Sequence, residues 1–138
     1  MPHLDQLNHA IIEFYEKLSS WEHSVVKEIG VTLAHVHAVE LLGIHGAMRM
    51  KELAMKMSVT TGTMTVQVDN MVKADLVRRR PHDTDRRSIL VELTEKGQQI
   101  YQNHDALHHD LTQQITSGLD TTQQQALLNC LIQMNREF

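Results

Sequence analysis

Apolar side chains recur over residues 1–30 at Leu4, Leu7, Ile11, Phe14, Leu18, Trp21 and Val25, in alternating steps of three and four. That spacing predicts a long amphipathic helix with a narrow seam, ended by Gly30. Thr32 is placed to cap a second helix, with Leu33, Val36, Leu41 and Ile44 as its buried side until Gly43–Gly46 breaks it. Residues 50–57 make a short third helix with Leu53, Ala54 and Met57 inward. Ser58 or Thr60 caps a fourth, whose inner face is Met64, Val68 and Met71.

After Lys73 the period changes. Leu76–Arg80 reads as a strand and Ser88–Leu93 as its partner, with Pro81–Arg87 a polar loop between them, so the unit is a β-hairpin with a long tip. Thr94 caps a fifth helix that runs to about Ser117-Gly118 on a seam of Ile100, Leu107, Leu111 and Ile115. Asp120 caps the last, which uses Leu127, Leu128, Leu131, Ile132 and Met134. The expected fold is mainly α with a small β-hairpin wing: a winged helix-turn-helix over residues 31–93, and a helical dimerisation scaffold from 1–30 and 94–138.

Composition narrows the class. At 138 residues, 41% apolar and 22% charged, the chain is globular and holds one intertwined domain. No stretch approaches the ~20 apolar residues of a membrane span. The start has neither the basic region nor the apolar core of a secretory leader, so a cytoplasmic location is expected. The one cysteine, Cys130, excludes an internal disulfide and sits among leucines as a packing residue. The net charge of -4 is unevenly spread: residues 49–91 hold nine Lys/Arg against five Asp/Glu, and the rest of the chain holds four against twelve. A basic middle between acidic ends concentrates phosphate attraction on one lobe.

That lobe carries the fourth helix and the hairpin. With Met64, Val68 and Met71 inside, Gly62, Thr63, Val66, Asn70 and Lys73 face outward, flanked by Thr60, Thr61 and Thr65. Small hydroxyls and a glycine at a helix N-terminus suit close approach to phosphates and thymine methyls in a major groove. The basic hairpin brings Arg78, Arg80, Arg86 and Arg87 toward the backbone and the neighbouring minor groove. The partner so defined is double-stranded DNA.

These residues resemble the MarR family of bacterial transcription regulators. The resemblance runs through Leu53-Ala54, Val59–Thr65, Leu76–Arg79, Asp85–Ser88 and Leu93–Gly97, and it implies a homodimer that interleaves the terminal helices of two copies. The chain departs from the family pattern at Val66 and Thr84, where basic residues are frequent, and at Asp75, where a turn glycine is usual. The wing is therefore expected to rely on Arg86 and Arg87, one paired to Asp85 and one free, with Arg78–Arg80 adding phosphate contacts.

Ten histidines raise the question of an effector. His104 and His108 are four apart on one helix face, and His37 falls on the expected inner stripe of the second helix. Imidazoles and a carboxylate are a zinc ligand set. Glu22, His37, His104 and His108 resemble the site of the zinc-sensing AdcR/ZitR branch of the family, in which the metal ties the first, second and fifth helices together. The segment from Glu22 to His37 is about three residues shorter than in that branch, and His23 or His109 could take the place of Glu22. Val36 and Asn103 stand where a second site would need its ligands, so one metal per subunit is expected. The competing reading is a small aromatic or phenolic ligand that releases the protein from DNA, with Trp21, Phe14 and Tyr15 near its crevice and the histidines structural. An enzyme is not expected: His-x3-His lacks the intervening Glu of helical metalloproteases, and no Gly-rich phosphate loop or nucleophile elbow occurs. The sequence thus points to a transcription regulator, a repressor, that binds a pseudo-palindromic operator as a homodimer and responds to zinc.

Overall fold

The computed structural model describes all 138 residues, in the order α1 (Pro2–Ile29), α2 (Leu33–His45), β1 (Met48–Arg49), α3 (Met50–Met57), α4 (Thr61–Lys73), β2 (Val77–Pro81), β3 (Ile89–Leu93), α5 (Glu95–Ile115) and α6 (Thr121–Arg136). The expected mainly helical fold with a small β wing is what forms. It divides into two compact units, Met1–Gln102 and Asn103–Phe138.

In the first unit, α1 ends where Gly30 turns left-handed, φ 85°. Thr32 caps α2 by accepting the His35 amide at 3.1 Å. The core sits where α2, α3 and α4 meet the sheet, and its centre is Leu53, Met64, Val68, Met71, Leu76, Val77 and Val91. The sheet is three-stranded and antiparallel in the order β1-β3-β2, with Val77 opposite Leu93, Arg78 opposite Glu92 and Met48 opposite Val91. Strand β1 is an addition to the expected hairpin. Two residues carry no alternation of their own, and pairing with β3 makes them a strand.

Several details correct the sequence reading. Helix α2 buries Val36, Ala38, Val39 and Leu42, whereas Leu33 and Ile44 are exposed. His37, expected on the inner stripe, is exposed as well. The helix is apolar on most sides, so its period could not choose a face. Gly43 lies inside α2 rather than ending it, because the Tyr101 ring packs on the space where a side chain would start; Gly46 terminates the helix. Ser58 ends α3 in the left-handed region, φ 58°, and leaves the cap of α4 to Thr60. Asp75, in the place of the family's turn glycine, takes φ 61°. Aspartate tolerates that region better than most side chains.

In the second unit, Asp120 and Gln123 form a reciprocal cap at the start of α6, with bonds of 2.8 and 3.0 Å. No residue of α6 is buried. Leu127, Leu128, Leu131, Ile132 and Met134 are each 41–50% exposed, and Cys130 is exposed with them rather than packed as expected.

The Thr60 cap sets where α4 begins, and it lends itself to a simple test. Thr60→Ala removes the acceptor for the Thr63 amide and is expected to cost about 1 kcal/mol, read as a lower denaturant midpoint at unchanged slope.

Candidate nucleic-acid interface and metal-ligating group

The candidate surface starts at the turn between α3 and α4. Thr60 Oγ1 accepts the Thr63 amide at 3.1 Å and donates to Thr63 Oγ1 at 3.0 Å, while Thr65 Oγ1 donates to the Thr61 carbonyl at 2.8 Å. The hydroxyls at the helix start are therefore held in defined positions. Gly62 leaves the helix entrance open: a Cβ there would meet nothing nearer than Thr60 Oγ1 at 4.0 Å. Thr61, Thr63, Thr65, Val66, Asn70 and Lys73 are all exposed along α4, as expected from the burial of Met64, Val68 and Met71 opposite them.

The wing differs from the expectation in how its arginines are used. Arg78 places both Nε and Nη2 on Glu92 Oε2, at 3.1 and 2.8 Å. Arg80 binds the other oxygen of Glu92 and also Asp83, the latter at 2.9 Å. Arg79 pairs with Asp69 of α4 at 2.5 Å. The whole basic run of β2 is thus held by carboxylates of the same chain. Asp85 does not pair with the guanidinium of Arg86 or Arg87. Its carboxylate accepts the Arg87 amide and the Ser88 hydroxyl, each at 3.1 Å, and lies 4.0 Å from Arg49 of β1. Those two hydrogen bonds, the amide first, hold its carboxyl below the usual carboxylate range. Arg86 and Arg87 are exposed at the tip with no ion pair.

Glu92 and Arg49 are residues the sequence reading passed over, and His82, expected to be solvated like most of the histidines, is half-buried. Glu92 was recoverable from the hairpin register, which sets it across from Arg78, a cross-strand pair of opposite charge. Arg49 was not, because β1 has no sequence pattern. His82 accepts two amides within the tip.

On α5, His104 is buried, 4% exposed, and His108 is half-buried. Their rings meet edge to face with centroids 4.6 Å apart, as the four-residue spacing requires. Glu22, on α1, is half-buried, and His37, on α2, is exposed. The two imidazoles of α5 suit zinc in donor type, two ligands short of a closed tetrahedron.

A helix-turn-helix whose second helix presents an open, hydroxyl-lined N-terminus, beside a hairpin with two unpaired arginines, defines a winged helix-turn-helix of the DNA-reading class. Residues 31–89 match the MarR family. Among relatives, the multiple antibiotic resistance protein MarR of Escherichia coli is 35% identical over 82 residues, which cover 59% of this chain and 56% of that protein. The uncharacterized HTH-type transcriptional regulator YfiV of Bacillus subtilis is 28% identical over 74 residues, 54% of this chain and 46% of its own. The matched segment thus spans about half the length of these relatives. FabT of Streptococcus pneumoniae, solved in complex with DNA, superposes with a TM-score of 0.87 at 18% identity and covers 96% of this chain and 95% of that one. Over residues 31–89 the chain is thus similar to the MarR family of winged helix-turn-helix transcription regulators, and its fold over nearly its whole length is similar to that of FabT. No helix is long and apolar enough to cross a membrane.

Proposed function

We propose that this chain is a homodimeric, operator-binding repressor whose affinity for DNA responds to zinc. Residues 31–93 are the reading module, and residues 1–30 and 94–138 the dimerisation scaffold. The two α4 helices of a dimer enter successive major grooves of a pseudo-palindrome, with half-sites about one turn apart. Thr60, Thr61, Gly62, Thr63 and Thr65 approach the phosphates, and Val66, Asn70 and Lys73 meet the base edges and the flanking backbone. Arg86 and Arg87 enter the minor groove. The dimer is supported by exposed apolar side chains within each unit: Leu4, Leu7, Ile11 and Phe14 of α1 are 45–55% exposed, and α6 buries none of its leucines. A second copy is the natural cover for such stripes, and MarR-family proteins are typically dimers.

The observation that carries the metal reading is the buried His104 ring against His108. Glu22, His37, His104 and His108 are the ligands the sequence pattern offers, with His104 and His108 the pair that one helix face brings together. Bound zinc would supply a fixed cross-link between helices and favour one DNA-binding geometry. Titrating metal-free protein with zinc is expected to fill one site per subunit and raise affinity for a selected duplex by roughly 5–150-fold. His104→Ala should keep the unfolding transition and basal DNA binding while losing that increase. Because imidazole ligates only when neutral, the response fades below about pH 6. Wild-type DNA binding indifferent to zinc returns the histidines to a structural role and leaves the aromatic-ligand reading, in which Trp21, Phe14 and Tyr15 are the first residues to vary.

A further inference from the structure

The tip joining β2 to β3, residues 82–88, closes with few backbone-to-backbone bonds. The His82 amide donates to the Ser88 carbonyl and the Ser88 amide to the Asp85 carbonyl, both at 3.0 Å. The amides of Thr84 and Asp85 donate instead to Nδ1 of His82, at 3.2 and 3.1 Å, and the Thr84 hydroxyl lies 3.4 Å from the same nitrogen. One ring nitrogen thus holds the first half of the loop, as the Asp85 carboxylate holds the second half through the Arg87 amide. Arg86 and Arg87 sit where the two halves meet.

We propose that His82 is a positioning residue for the wing. Its neutral ring, with the proton on Nε2 and the Nδ1 lone pair turned into the loop, fixes the backbone that presents Arg86 and Arg87, and protonation of Nδ1 releases that backbone. An imidazole nitrogen accepts through a single in-plane lone pair, and a proton there replaces the acceptor of two amides with a third N–H pointing at them.

The charged groups around the ring set the size of the effect. Asp83 is paired with Arg80 of β2, Asp85 with Arg49 of β1, and Arg86 and Arg87 complete the loop. The Asp85 anion attracts an imidazolium and so offsets part of the release. Its carboxyl titrates below the usual carboxylate range, so it stays ionised in mild acid, and loosening of the tip there belongs to the ring and not to the carboxylate.

The inference rests on the DNA-reading function proposed above, and the experiment separates the two. Long-range nitrogen NMR on the free protein reads the His82 tautomer, and amide exchange at Thr84 and Asp85 reads the loop, both without DNA. Affinity is then measured on a duplex selected by the wild-type protein from a random-sequence pool, at about pH 7.5 and about pH 5.5. His82→Asn keeps an acceptor able to bond amides two and three residues on, and it does not titrate. His82→Ala keeps neither property.

The expected tautomer carries its proton on Nε2. At the higher pH, His82→Ala binds about tenfold more weakly than wild type and His82→Asn stays within about twofold. On acidification, wild type loses about fivefold relative to His82→Asn. Using that ratio cancels the rise in charge from the other histidines, since the chain has ten in all. A proton on Nδ1 at the higher pH, full affinity in His82→Ala, or matching pH profiles for wild type and His82→Asn overturns the proposal. Failure of the wild-type protein to select any duplex overturns the DNA reading instead, and the tautomer and exchange data still decide whether His82 holds the loop.

Discussion

Replacing Arg86 and Arg87 together by alanine is expected to weaken binding to a selected duplex by about a hundredfold and to lower the log–log salt slope by roughly two. The expectation comes from what else the guanidinium groups are doing. Arg78 and Arg80 share the carboxylate of Glu92, and Arg79 is held by Asp69. Each of these has to give up a carboxylate before it can gain a phosphate, so the exchange yields little. Arg86 and Arg87 give up only water. The matched control is Arg78→Ala, which should cost threefold or less, on the order expected when one exposed pair is exchanged for another. Fluorescence anisotropy over a salt series reads both quantities. Equal losses from Arg78→Ala and from the tip variant would show that the Glu92 pairings open freely on DNA.

The second large effect is on stability. Gly97→Ala is expected to destabilise the fold by about 2–3 kcal/mol, seen as a lower denaturant midpoint without a change of slope. The first turn of α5 is fastened to the turn that follows α4. The Thr94 amide donates to the Leu76 carbonyl at 3.1 Å, the Thr94 hydroxyl to the Asp75 carbonyl at 2.5 Å, and Lys96 Nζ to the Ala74 carbonyl at 3.0 Å. A Cβ on Gly97 would run into the Leu76 carbonyl oxygen and press on Leu93 Cδ2 at 3.1 Å. A backbone oxygen cannot rotate away, so the helix start has to lift and strain these bonds. The helical preference of alanine over glycine returns up to about 1 kcal/mol, which the figure already includes. Gly43→Ala is the contrast: the obstacle there is the Tyr101 ring, which can turn, and a smaller loss is expected. A neutral Gly97→Ala would mean that the attachment of α5 is looser than these bonds imply.

Much of this architecture is legible in the residue pattern, for identifiable reasons. The end of α1 at Gly30, the cap at Thr60, the inner face Met64–Val68–Met71 and the cap at Asp120 each depend on residues within one turn of each other. Local chemistry decides them, and the pattern records it. What escaped depends on partners distant in sequence. Helix α2 is apolar almost all round, so only the elements packed on it decide that Val36, Ala38, Val39 and Leu42 go inside and His37 stays out. Strand β1 exists because β3 offers it an edge. The apolar positions of α6 form the face the pattern predicts, and their exposure in one chain accords with the dimerisation role expected of that helix. The candidate site divides the same way. The exposed residues of α4 followed from its period, whereas the pairing of Arg78 and Arg80 with Glu92 required the strand register.

The internal neutralisation of β2 also bears on how such a regulator would find its operator. A genome offers an operator-binding protein some 10⁶–10⁹ competing sites, and attraction to any of them is set by the number of cations free to displace counterions. With three consecutive arginines already satisfied by Glu92, Asp83 and Asp69, the reading head presents few such cations to arbitrary sequence. On the proposed function, less of the protein would be held on bulk DNA, and fewer copies would suffice to keep the operator within reach.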